Sequence, residues 1–177
     1  EGSRVFFKHG KLTDIKINFI GDISNTNLVD FPIDKYGNTG CITFINIEFE
    51  NVSLSSQNSN CEDAINIISS KEKIKNININ NSISDALDID FSQISIDEII
   101  ITNSKNDCSD FSMGNYDINK LITEFCGDKS ISIGEKSIIN ADNISVNDSF
   151  IGIAIKDGST LTADNIYLKN ISFSPIM

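Results

Sequence analysis

The 177-residue chain has no Trp, two Pro and a single His. That leaves little of the usual acid–base and nucleophilic vocabulary. His9 stands alone near the N-terminus and is given no role. No CxxC pair and no His beside a Cys suggests zinc. No apolar run approaches the ~20 residues of a membrane helix, so membrane insertion is not expected. Cations are scarce, with 14 Lys and Arg against 25 Asp and Glu, a net charge of -11. Such an excess would be repelled by nucleic acid and by anionic membranes, although it also serves solubility alone. No leader is visible, and a chain that begins at Glu1 without Met reads as a mature or excised segment.

What the chain has in plenty is Ile, Asn, Ser and Asp. Ile favours strands, and the three polar residues favour turns. The clearest stretch is SDALDIDFS at 84–92, where Leu87, Ile89 and Phe91 alternate with Asp88 and Asp90. Alternation of this kind marks a strand with one apolar face. The pattern recurs at intervals of 22 residues, at 64–67, 108–111, 130–133 and 152–155. A second strand follows each copy: 77–79, 99–101, 121–123, 144–146 and 166–168. No helical period competes over any long window.

A repeat this short cannot bury its own apolar face and must stack on its neighbours. The expected fold is all-β: a single-stranded, right-handed parallel β-helix with coils of about 22 residues. Ile67, Ile89, Phe111, Ile133 and Ile155 should form one inward ladder. Ile65, Leu87, Ser109, Ile131 and Ile153 should form another, weakened at Ser109. Residues 41–177 hold the coils, and 1–40 read as an irregular N-terminal cap or first coils of the same domain. Within them 5–7 and 15–20 look like strands, and 25–40 like a loop. Asp63, Asp85 and Asp107 recur at one corner, where short polar side chains bond nearby backbone.

Outward positions of the first strand also fall into register. One rank is Asn66, Asp88, Asp110, Ser132 and Ala154; the next is Ile68, Asp90, Ser112, Gly134 and Lys156. Asp88, Asp90 and Asp110 should therefore share an exposed patch. Asp88 and Asp110 are one rung apart, about 5 Å between backbones. Like charges that close are costly unless a cation, a proton or water separates them. Three readings stay open: a Ca²⁺ site, a carboxylate pair for acid and base work on a glycosidic bond, and a solvated acidic face. Lys156, beside the patch, would orient an anionic sugar. Gly114 and Gly134, near Tyr116, would leave room for a ligand ring. The four Cys permit two disulfides or buried free thiols.

Several strings taken together carry a resemblance: YGNTGC at 36–41, NCEDAINI at 60–67, SDALDIDFS at 84–92, NDCSDFSMGNY at 106–116, CGDKSISIGEKS at 126–137 and GIAIKDGS at 152–159. They resemble the right-handed parallel β-helix module of extracytoplasmic bacterial proteins, often found beside a CotH-type kinase domain. No such kinase domain is visible here, so kinase activity is not carried over. The wider architectural relatives are pectate-lyase-like enzymes, tailspikes and adhesins, and fold analogy transfers no function. The resemblance implies an exported, oxidised protein, extracellular, periplasmic or at the cell surface. It implies disulfides Cys41–Cys61 and Cys108–Cys126. The expected job is binding an extracellular glycan, with Ca²⁺ optional at Asp88, Asp90 and Asp110. A purely structural module that contacts other surface proteins, and a polysaccharide lyase or hydrolase using Asp88 and Asp110, are the alternatives.

Overall fold

A computed structural model describes residues 4–22 and 33–177. Of the loop expected at 25–40, residues 25–32 lie outside the described residues, and 33–39 contain a turn and no strand. Those described contain eleven strands and no helix. They run β1 (Val5–Thr13), β2 (Lys16–Ile20), β3 (Gly40–Ser59), β4 (Asp63–Ile68), β5 (Lys71–Ser82) and β6 (Asp85–Asp90). Then come β7 (Gln93–Ser104), β8 (Ser109–Ser112), β9 (Asn115–Gly134), β10 (Ile138–Ile155) and β11 (Thr160–Ile176). Both N-terminal stretches that read as strands are strands, and each pairs with β3.

Every pairing is parallel, and one sheet contains all eleven strands. On the first face the order is β3–β4–β6–β8–β9; on the remaining faces it is β3–β5–β7–β9–β10–β11. The β8–β9 pairing closes the winding, because β9 leaves one rung and enters the next. The result is a parallel β-solenoid with coils about 22 residues apart, as the period requires.

Both inward ladders lie in register. Ile65 pairs with Leu87, Leu87 with Ser109, and Ser109 with Ile131. Ile67, Ile89, Phe111 and Ile133 stack beside them, all buried. Each such side chain contributes roughly 1.5–3 kcal/mol by leaving water. Ser109 interrupts its ladder without leaving an orphan, since its hydroxyl donates to the Ser130 carbonyl at 3.0 Å. A third ladder, Leu54–Ile77–Ile99–Leu121–Ile144, lines the opposite side of the core.

Both disulfides are formed as expected, Cys41–Cys61 and Cys108–Cys126, with Cα separations of 5.4 and 5.5 Å. They suggest an oxidising environment.

Two corners turn each coil, and both use left-handed backbone. One corner column is Asn58, Asn81, Asn103, Phe125, Asp148 and Asn170, with φ between 54° and 66°. Asn and Asp tolerate that conformation because their side chains bond locally. The amide of Asn81 donates to Asn58 Oδ1 at 2.8 Å, rung to rung. The other corner column is Asn46, Ser69, Phe91, Met113, Glu135 and Asp157. This second corner borders the first face, which carries the candidate site.

Candidate acidic face of the first strands

The outward column of the first face is Thr43, Asn66, Asp88, Asp110, Ser132 and Ala154. The structure brings Asp88 and Asp110 together as direct register partners, and puts Asp90 two positions further along the same strand as Asp88. Lys156 lies at the C-terminal end of the neighbouring column. It is close enough to Asp110 to favour the ionised carboxyl, although burial has the larger, opposite effect.

The patch is not freely exposed, which corrects the sequence reading. Asp88, Asp90 and Asp110 are half-buried, while Thr43, Asn66, Ser132 and Ala154 are buried.

Burial sets the electrostatics. It is the first cause that pushes the Asp88 carboxyl up to about 9, and the charges of Asp63, Asp90 and Asp110 reinforce it. Asp63, only 3 % exposed, is raised to about 7, by burial against the favourable contact of Thr39 and then by Asp85. Burial, then Asp110 and Glu135, raise Asp90 to about 6. Asp85 also rises to about 6, by burial, even though it accepts the Asp107 N–H at 2.8 Å. Corner residues Asp85 and Asp107 do bond nearby backbone, accepting the Asp107 and Lys129 N–H groups at 2.8 and 2.9 Å, and Asp63 and Asp85 also act electrostatically on the face.

Asn66 links corner and face. Its Nδ2 donates to Asp88 Oδ2 at 2.8 Å and, more weakly, to Asp63 Oδ2 at 3.5 Å. Its Oδ1 has no partner, and the residue is 2 % exposed. Thr43 Oγ1, Asp110 Oδ1 and Ser132 Oγ are also buried without partners. Ser132 lies near enough to Asp110 to favour its charged form, yet no hydrogen bond of good geometry joins them. The rank of Asn66 with Asp88 and Asp110 was visible in the 22-residue spacing; its unpaired carbonyl was not.

Along the border, Phe91 and Met113 are 54 % and 51 % exposed, one rung apart, at φ 52° and 47°. Bulky residues seldom adopt that backbone. They line a cleft of about 680 Å³ with Gln93, Glu135, Lys136 and Asp157. The room expected beside Gly114 is already taken. A Cβ there would collide with the Tyr116 hydroxyl, which is buried and donates to the Ile89 and Ser112 carbonyls at 2.9 Å each. Gly134 meets only ordinary contacts from Asp157, Lys156 and Ser112.

Among the described residues, no three His, Cys, Asp or Glu side chains converge in a way that would hold a metal ion. The geometry therefore lends no support to Ca²⁺ at Asp88, Asp90 and Asp110. No family model, curated protein or solved structure matches this chain. The class that stands is a parallel β-solenoid with two disulfides and a half-buried acidic face.

Proposed function

We propose that this chain is an exported, surface-located solenoid module that binds a glycan along the first face. One observation carries the reading: the exposed Phe91 and Met113, one rung apart, line a cleft of about 680 Å³ with Gln93, Glu135, Lys136 and Asp157, beside the half-buried Asp88, Asp90 and Asp110. Apolar walls with polar and charged side chains among them suit a sugar, which presents both hydroxyls and ring faces. The exposed Phe91 and Met113 border the same face and offer an apolar surface to a ring. Two disulfides are consistent with a location outside the reducing cytosol.

The test is a glycan array probed with the chain and with Asp88→Asn/Asp110→Asn. The wild type should retain at least one glycan that the double variant releases. An empty array, or equal retention by both proteins, removes the proposal.

A second reading has its own support. Asp88 and Asp110 are register partners in unequal surroundings: burial and then acidic neighbours keep Asp88 protonated, whereas the burial that raises Asp110 is opposed by Lys156. Such a division suits an acid and a base acting on a glycosidic bond. Release of reducing ends from a retained glycan, lost in Asp88→Asn, would favour this reading over binding alone.

A further inference from the structure

We infer that the cleft at the second corner holds an uncharged hexopyranose chain, laid along the solenoid axis with one sugar to each rung from Phe91 to Asp157. The inference rests on the glycan-binding reading and names the class of sugar and the way it lies.

The corner column sets the direction. Phe91, Met113, Glu135 and Asp157 hold the same place in successive coils, and all of them line the cleft. Rungs are ~4.8 Å apart, so the column runs for about 14 Å along the axis. That step is close to the advance of one sugar along an extended glycan.

The first two rungs offer apolar surface that the fold leaves unused. Phe91 and Met113 are about half exposed, on left-handed backbone that bulky residues seldom adopt. Among the described residues no ring stacks on Phe91, whereas the exposed Phe150 stacks on Phe173 at 5.0 Å. The C–H face of a pyranose ring is apolar and fits such a surface. Gln93 and Asn115, register partners beside them, bring uncharged donors and acceptors.

The last two rungs decide the charge of the ligand. Glu135, Lys136 and Asp157 line the cleft, and the Lys156 side chain reaches the same spot. Lys156 and Asp157 each come to 3.7 Å from a Cβ placed on Gly134. The formal charges of these two acids and two lysines cancel. Among the described residues none of the four is in an ion pair. A uronate would be repelled by the acids, and an amino sugar by the lysines. A hydroxyl both donates and accepts, so neighbouring hydroxyls of one neutral sugar serve both kinds of group.

The experiment titrates the chain with neutral β-glucan and β-mannan oligomers of increasing length, and with galacturonate and glucosamine oligomers of the greatest length used. At least one neutral series should bind, gaining affinity up to about four sugars and levelling beyond. Added salt should leave that binding unchanged. Phe91→Asn/Met113→Asn should weaken it about tenfold or more. The same variant should not lower Tm, because Asn suits a left-handed corner. Phe125→Asn, similarly exposed and left-handed but on the other corner, should bind as the wild type does. Tighter binding of either charged oligomer, or undiminished binding by the double variant, overturns this inference and leaves glycan binding standing. No binding of any oligomer overturns both.

Discussion

Replacing Asp88 by Asn should make the protein more stable at neutral pH. The unfolded carboxyl ionises near 3.8, whereas in the fold it keeps its proton until about 9. Between those limits the folded chain holds more protons than the unfolded one. Stability therefore falls as pH rises, up to about 1.36 kcal/mol per pH unit from this group. From 3.8 to neutral pH the cost reaches about 4 kcal/mol as a ceiling, and about 2 kcal/mol once neighbouring carboxyls share it. Asn is isosteric and keeps the bond from Asn66, because its own Oδ1 can accept what Asp88 Oδ2 accepts at 2.8 Å. A gain of about 2 kcal/mol corresponds to roughly 4–8 °C in Tm at this chain length. Calorimetry of both proteins at a series of pH values is the assay. The gain should grow with pH up to about 9 and should fall below about 1 kcal/mol near pH 4, where the unfolded carboxyl is only about half ionised. An Asn variant that is equally or less stable at pH 7, or a gain that survives at pH 4, would refute the burial argument.

The same sign applies to the wild type as a whole. With Asp63, Asp85, Asp88 and Asp90 raised to about 7, 6, 9 and 6, stability should peak on the acid side of neutrality and decline from there to pH 9; a maximum at pH 8 in urea melts would contradict it. Replacing Cys108 and Cys126 by Ala opens a link across 18 residues, and the urea midpoint should report a loss of about 3 kcal/mol. An unchanged midpoint would show that the link adds nothing. Phe125→Asn should stabilise by about 1 kcal/mol, because Phe125 holds φ 57° in a corner column otherwise made of Asn and Asp, and is 51 % exposed. A lowered Tm would mean that the ring has packing value that its exposure does not suggest.

The solenoid was legible because each coil meets the same environment, so alternation such as Leu87–Asp88–Ile89 had to recur at the coil length. β1 and β2 were legible for the same local reason. The lengths of β3, β9 and β10 were not. Each continues around a corner as one strand through left-handed residues such as Asn51, Phe125 and Asp148, where no Gly or Pro marks a break. At the site, the period identified the column and its members but said nothing of depth. Depth is a tertiary quantity: along one column Ser132 is fully buried while Asp88 and Asp110 are half-buried. Gly114 misled for a related reason: a small residue can mark space that a distant ring already fills, here Tyr116.

Elsewhere on this surface the columns pair opposite charges from rung to rung. Lys11, Glu48 and Lys71 are register neighbours, joined at 3.1 and 3.3 Å. Glu98 and Lys120 are partners at 3.0 Å. Like charges directly opposite one another destabilise a sheet, and these columns avoid them. The first face does not, although its own column accepts Thr43, Asn66, Ser132 and Ala154 in the other rungs. Neutral residues therefore fit where Asp88 and Asp110 stand, so the backbone does not demand carboxyls there. Solubility does not demand them either, because half-buried carboxyls kept partly protonated add little charge to water. What remains is a use for the acids at that position, which a ligand bound along the first face would supply.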